Sequence, residues 1–189
     1  MRAVTIYMEA NPNPNSMKFV VNFMLLQEGV SFDYPDMESA KDSPLAQELF
    51  NIPSVERVFY MSNFITVTKS ESVEWPEIQN EVKNVIKPYL ENEKPLILQE
   101  LEKDPLFDEN DSEVVKQIKG ILDEYIRPAV EQDGGAIGFA SFNDGVVKVN
   151  LQGSCSGCPA SAVTLKSGIE NLLKRMLPND VREVVAEGV

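Results

Sequence analysis

The sequence predicts an α+β fold made of two small α/β domains. Apolar residues recur at helical spacing in some segments and alternate in others, so helices and short strands follow one another along the chain. Residues 91–111 interrupt this pattern with an acidic, proline-broken stretch that suits a linker. We therefore expect a first domain at residues 1–90 and a second domain at residues 112–189.

In the first domain the pattern predicts mixed strands and two helices. The strands are expected at residues 3–8, 17–23, 55–61 and 64–69, and the helices at residues 44–50 and 74–90. Ser43 can cap the first helix, and Trp75 is expected to be a core residue rather than a platform for a ligand. The loop at residues 11–16 alternates Asn and Pro, which predicts a rigid turn. This loop is either a plain connection between strands or a contact for a partner.

The second domain reads as helix, hairpin, helix and strand, which gives a small sheet packed by two helices. Ser112 can cap a helix that runs towards Pro128 and one turn beyond, and residues 133–135, Asp-Gly-Gly, end it. Strands are expected at residues 136–142, 146–151 and 181–186, and the second helix begins at Pro159 and stops before Pro178. A loop with both cysteines lies between the second of these strands and the second helix.

The charge of the chain excludes some classes of partner. Acidic residues outnumber Lys and Arg by 30 to 17, and the net charge is -13. Nucleic acids and anionic membrane surfaces both attract basic proteins, so neither is expected as a partner. No apolar run approaches the roughly 20 residues that a membrane span requires.

The N-terminal residues bear on the compartment. Residues 1–9 lack the apolar core of a signal peptide and the Arg- and Ser-rich character of a transit peptide. We expect a cytoplasmic protein, or a mature organellar form from which a targeting segment is absent. In a reducing compartment, paired thiols indicate metal or redox chemistry more often than a structural disulfide.

The loop at residues 153–159, Gly-Ser-Cys-Ser-Gly-Cys-Pro, contains the only two cysteines of the chain. Cys155 and Cys158 are three positions apart, so both sulfurs can converge on one metal. A tetrahedral thiolate site needs four ligands, and this chain has two cysteines and no histidine. A second copy of the chain could supply the other two. The helix that begins at Pro159 would stabilise thiolates or an anionic cluster through its N-terminal N–H groups.

The same residues allow three interpretations beside a general metal site. A C-x-x-C pair also serves thiol-disulfide exchange, although that motif usually has an aromatic residue before its first cysteine and this chain has Ser154. A zinc site shared by two chains would use the same four thiolates. Cysteines are also often plain buried apolar residues, an interpretation that two cysteines in a Gly/Ser turn fit poorly.

The second domain resembles the NifU C-terminal domain of the Nfu family of iron-sulfur cluster scaffold and carrier proteins. The stretches that carry the resemblance, in the family's order, are residues 127–128, 133–135, 153–159 and 164–170. The first domain is similar to the family's N-terminal domain through residues 12–19 and 64–69. One departure is Ala136, where family members often carry an acidic residue, and this puts in doubt a role for a carboxylate at that position.

The resemblance implies that Cys155 and Cys158 of two subunits together bind one 4Fe-4S cluster per homodimer. It also implies that the protein receives the cluster from the primary assembly machinery and delivers it to recipient apo iron-sulfur proteins. This chemistry is ligand exchange, so an enzyme is not expected. Lys166 is a candidate for steering an acidic partner, although a solvated helix lysine is the simpler interpretation. Leu106 and Phe107 of the linker give a separate hypothesis, in which they dock on a partner.

Overall fold

The structure, a computed structural model, describes residues 2–98, 108, 110–156 and 159–187. The chain divides into two compact units, Met1–Lys103 and Asp104–Val189. Each unit has its own sheet and helices, which confirms the predicted α+β class. Leu106 and Phe107, the proposed docking residues of the linker, lie outside the described residues. No helix in the described part of the chain is long and apolar enough to cross a membrane.

The first unit is a five-stranded antiparallel sheet with helices packed on it. Its strands are β1 (Ile6–Ala10), β2 (Ser16–Val21), β3 (Ser31–Tyr34), β4 (Val55–Met61) and β5 (Phe64–Lys69), in the spatial order β1-β2-β5-β4-β3. Its helices are α1 (Pro44–Phe50) and α2 (Trp75–Glu91), and a 3₁₀ turn at Ser39–Asp42 precedes α1. The hairpin of β4 and β5 and both helices lie where the sequence predicted them.

The first strand begins later than the sequence predicted. Residues 3–8 were expected to pair, but β1 starts at Ile6. The side chain of Asn22 accepts a hydrogen bond from Thr5 N and donates one to Ala3 O, at 2.9 and 3.2 Å. This amide therefore takes the place of ladder hydrogen bonds before Ile6. The pairing of β3 with β4 was not predicted, because four residues are too few to give a clear alternation.

One apolar cluster joins the sheet of the first unit to both helices. Its fully buried members include Phe19, Leu45, Leu49, Val58, Tyr60, Ile65, Val67, Val82 and Ile86. Trp75 is 9 % exposed, meets the ring of Phe19 edge-on at 6.2 Å and donates its Nε1–H to Pro14 O at 3.1 Å. The expectation that Trp75 belongs to the core is confirmed. Its hydrogen bond also ties the Asn/Pro loop to α2, and the predicted partner role of that loop stays a prediction.

Ser43 links the start of α1 to the buried end of a tyrosine. Its hydroxyl accepts a hydrogen bond from Ala46 N at 3.3 Å, which confirms the predicted cap, and it lies 3.0 Å from the Tyr60 hydroxyl. Both side chains are fully buried. Burial raises the pKa of Tyr60 well above its usual value, so the phenol stays neutral and is available for this hydrogen bond.

Ser43→Ala is therefore expected to destabilise the first unit by about 1–3 kcal/mol, because it removes a helix cap and leaves a buried phenol without its partner. Urea unfolding followed by tryptophan fluorescence measures this unit selectively, since Trp75 is the only tryptophan. Ser72→Ala is the control in the same unit, because Ser72 is exposed and its loss should cost less than about 0.5 kcal/mol. Equal stability of the two variants would contradict the prediction.

The second unit contains a three-stranded sheet in the order β6-β7-β8. Its strands are β6 (Gly135–Asn143), β7 (Val146–Gly153) and β8 (Glu183–Glu187). β6 and β7 form an antiparallel hairpin, and β8 lies parallel to β7. Helix α5 (Pro159–Met176) supplies the crossover that a parallel pair requires. The core of this unit draws on both its helices and its sheet. Its fully buried members include Ile118, Val147, Val149, Ile169, Leu173 and Val184.

A π-helical turn interrupts the first helix of the second unit. α3 (Glu113–Ile121) and α4 (Arg127–Gln132) are continuous with a π turn at Leu122–Ile126. The N–H of Arg127 donates to Leu122 O, five residues back instead of four. Pro128 explains the wider turn, because its ring excludes the carbonyl four residues before it and it has no N–H to donate. Ser112 caps α3 by accepting from Val115 N at 3.3 Å, as predicted.

Helix α5 is tied to strand β8 by one carboxylate. Glu170 Oε2 accepts a hydrogen bond from Val184 N at 3.0 Å, and Lys174 Nζ lies 2.6 Å from the other oxygen of Glu170. The hydrogen bond from Lys174 and the bond from Val184 hold the pKa of Glu170 below its usual value. Glu170 is therefore ionised at neutral pH, and α5 is held at a fixed position against the sheet.

Candidate metal centre

The cysteine loop joins the last residue of β7 to the first residue of α5, as the sequence predicted. β7 ends at Gly153 and α5 begins at Pro159. Gly153 has a φ of 65°, a left-handed conformation that glycine adopts without strain and that turns the chain out of the strand. Of the two predicted ligands, the structure places Cys155, while Cys158 lies outside the described residues. Their convergence on one metal stays a prediction.

The side chain of Cys155 is turned into the protein. It is 6 % exposed and belongs to the apolar cluster that contains Ile137 and Leu151. Its sulfur lies 2.9 Å from the point where a Cβ on Gly135 would stand, so it packs directly over the backbone of that glycine. This inward orientation is what the interpretation of Cys155 as a plain buried residue would also give.

Two buried serines flank Cys155, and each anchors the loop to a neighbouring element. Ser154 and Ser156 are 2 % and 3 % exposed. The Ser154 hydroxyl donates to the carbonyl of Asp133, just beyond the end of α4. The Ser156 hydroxyl donates to the carbonyl of Leu151 in β7 at 3.0 Å. These two anchors were not predicted, although a hydroxyl residue on each side of the first cysteine was a signal for them in the sequence.

The paired glycines at the start of β6, Gly134 and Gly135, lie against the cysteine loop. Gly134 has a φ of 81°, which confirms the predicted left-handed end of the helix, and its carbonyl accepts from Ser154 N at 3.3 Å. A Cβ on Gly135 would lie 2.6 Å from Gln152 O, closer than real Cβ contacts come. The next residue, Ala136, is 6 % exposed and pairs with Gln152. In this chain the position where an acidic residue was expected is therefore a small buried one.

Of the thiolate ligands that a metal site would need, the described residues contain one, Cys155. Within residues 2–98, 108, 110–156 and 159–187, no three Cys, His, Asp or Glu side chains converge as a metal site would need. Cys155 is the soft ligand that iron and zinc prefer, and α5 begins four residues later in the chain. After the hydrogen bonds from Lys174 and Val184, the charge of Lys166 one turn earlier adds to the lowering of the Glu170 pKa, and both interpretations of Lys166 stay predictions.

Comparison with known protein families identifies the family of this chain. Residues 6–93 match the family model described as the N-terminal domain of the scaffold protein Nfu/NifU. Residues 118–185 match the model of the NifU-like domain. The chain belongs to the Nfu family. The two matches follow one another in the order that the sequence analysis expected, and each falls within one of the two compact units.

Curated members of the Nfu family align with nearly all of this chain. An NFU1 iron-sulfur cluster scaffold homolog, mitochondrial, from Drosophila willistoni is 42% identical over 178 residues, which are 94% of this chain and 62% of the relative. NifU-like protein 4, mitochondrial, from Arabidopsis thaliana is 43% identical over 177 residues, 91% of this chain and 62% of the relative. The chain therefore spans somewhat less than two thirds of the length of these relatives. The solution structure of a NifU-like protein from Saccharomyces cerevisiae aligns at 24% identity with a TM-score of 0.45, over 53% of this chain and 89% of that one.

Proposed function

We propose that this Nfu protein is an iron-sulfur cluster scaffold and carrier that binds one 4Fe-4S cluster through Cys155 and Cys158 of two subunits. The observation that carries the proposal is the Cys-x-x-Cys loop between β7 and α5, inside the segment that matches the NifU-like domain. Two thiolates from each of two chains give the four ligands that such a cluster takes. The relatives named as iron-sulfur cluster scaffolds support the same function.

The proposed chemistry is ligand exchange. Cysteines of a recipient apo-protein displace Cys155 and Cys158 one at a time, and the cluster passes on without any substrate being turned over. The N–H groups at the start of α5 favour the negative charge of the bound thiolates. The protein is accordingly proposed to be a carrier rather than an enzyme, to receive its cluster from the primary assembly machinery and to deliver it to recipient apo iron-sulfur proteins.

The division of labour between the domains is part of the proposal. Residues 112–189 hold the cluster, residues 1–90 contact partners, and residues 91–111 connect the two. The relatives carry mitochondrial in their names, so a mitochondrial location is proposed for this protein. The compartment bears on which recipients the protein meets.

The experiment that tests this function is metal analysis of anaerobically reconstituted protein. Iron, zinc and acid-labile sulfide are measured per chain, and the oligomeric mass is measured on the same sample. About four iron and four sulfide per dimer are expected for one shared 4Fe-4S cluster. Zinc without sulfide in a dimer would replace the proposal with a structural zinc site. A monomer with reducible thiols and little iron would replace it with a thiol-disulfide oxidoreductase.

A further inference from the structure

We infer that Ser154 and Ser156 are positioning residues that hold Cys155 in a protected, inward orientation, and that residues 154–156 must release before Cys155 can bind iron. The inference rests on the proposed function, because it concerns how a ligand of the shared cluster becomes available. It goes beyond that function by assigning residues 154–156 two conformations and by naming the contacts that keep the metal-free conformation closed.

The sulfur of Cys155 is enclosed by its own domain. Cys155 is 6 % exposed and lies in the apolar cluster of its own domain, over the backbone of Gly135. A cluster shared by two chains must touch a thiolate from each of them. A sulfur enclosed by its own domain is out of reach of anything held by a second chain. The described orientation of Cys155 is therefore a closed one, and ligation requires the side chain to turn outward.

The second step is what resists that turn. The hydroxyls of Ser154 and Ser156 donate to two different segments of the domain, one to the Asp133 carbonyl beyond α4 and the other to the Leu151 carbonyl in β7. Cys155 lies between these two anchor points in the sequence. The backbone on either side of it is therefore fixed, and rotating Cys155 outward strains or breaks at least one of the two hydrogen bonds. Since both serines are buried, water does not replace these bonds at low cost.

The third step is the consequence for reactivity. A thiol that is exposed only during local opening reacts with reagents at a rate proportional to the open population. The two serine hydrogen bonds thus protect the Cys155 thiol from alkylation and oxidation before a cluster is bound. Removing one buried hydrogen bond shifts an opening equilibrium by a factor of about 3 to 10. The serines therefore control how readily Cys155 is presented.

The test is alkylation of the metal-free, full-length protein by iodoacetamide, followed by mass spectrometry. A Cys158→Ser background leaves Cys155 as the only thiol. We expect Cys155 to react at least about tenfold more slowly in the folded protein than in guanidinium, since 6 % exposure leaves little of it in contact with reagent. Adding Ser154→Ala or Ser156→Ala should raise the folded-state rate about 3- to 10-fold. Ser167→Ala, an exposed position on α5, is the matched control and should leave the rate unchanged.

Two variants keep the test decisive. Far-UV circular dichroism identifies a serine variant that has unfolded, and the other serine then carries the comparison. The inference is overturned if folded Cys155 reacts as fast as the unfolded chain, or if both folded serine variants react at the rate of the Ser167→Ala control. Because the measurement uses no iron, failure of cluster binding in the reconstitution experiment would not alter it. A normal iron content with fast alkylation that does not depend on the serines would contradict the proposed role of Ser154 and Ser156. It would not contradict the carrier function.

Discussion

Cys155→Ser is expected to abolish iron binding in the reconstituted protein, and Cys158→Ser is expected to do the same. Under the proposed shared site each substitution removes two of the four thiolates at once, because both subunits carry it. Serine oxygen is a harder and much weaker ligand for iron-sulfur clusters than thiolate sulfur. The iron and sulfide contents should therefore fall from about two per chain to near zero, and the cluster-dependent dimer should be lost with them.

The control for this loss keeps the number of thiols constant. The double variant Cys155→Ser with Ser167→Cys restores a second thiol at an exposed position on α5, outside the loop. It should bind no more iron than Cys155→Ser alone if geometry rather than thiol count decides. Full iron in either single cysteine variant would rule out the shared site, since the site would then not depend on both residues.

Gly135→Ala is expected to destabilise the second unit by about 3 kcal/mol, at the upper end of what overpacking costs. The added Cβ would meet the backbone oxygen of Gln152 at 2.6 Å and the sulfur of Cys155 at 2.9 Å. Gln152 cannot give way easily, because it lies in β7, which pairs with β6 along its length. The substitution should therefore also push Cys155 out of its pocket and raise its rate of alkylation.

The same strand offers a matched control for this substitution. Gly138 also lies in β6, but a Cβ there would meet nothing within 4 Å. Gly138→Ala should change stability by less than about 1 kcal/mol, and the sign should favour alanine through reduced entropy of the unfolded chain. Hydrogen exchange measured on peptides from residues 113–187 isolates this unit from the other. Similar protection in the two variants would show that Gly135 has more room than the geometry allows.

The sequence was a reliable guide wherever one local signal decided the structure. Ser43 followed by Pro44 marked the start of α1, and Pro159 marked the start of α5. The hairpin of β4 and β5 followed from alternation across a short turn. β3 was missed because it is four residues long and is defined by its pairing with β4 rather than by its own pattern.

At the candidate site, the sequence identified the loop and its cysteines but not the direction in which Cys155 points. That direction depends on Gly135, which is twenty positions earlier in the chain and reaches the loop only through the pairing of β6 with β7. It also depends on Ser154 finding the carbonyl of Asp133. Both contacts are tertiary, so no local spacing could have predicted them.

The π turn before Arg127 decides which way the rest of that helix faces. A regular helix rotates about 100° per residue, so Val130, twelve positions after Ile118, would lie about 120° away from it. The wide turn absorbs one residue, which brings the angle down to about 20° and lets Ile118 and Val130 share the same core with 0% and 1% exposure. Pro128, through the π turn, thus places Val130 on the same face of the helix as Ile118. A regular α-helix of the same sequence, without the π turn, would turn Val130 towards solvent. It would also move the Asp133 carbonyl, which accepts the hydrogen bond from Ser154.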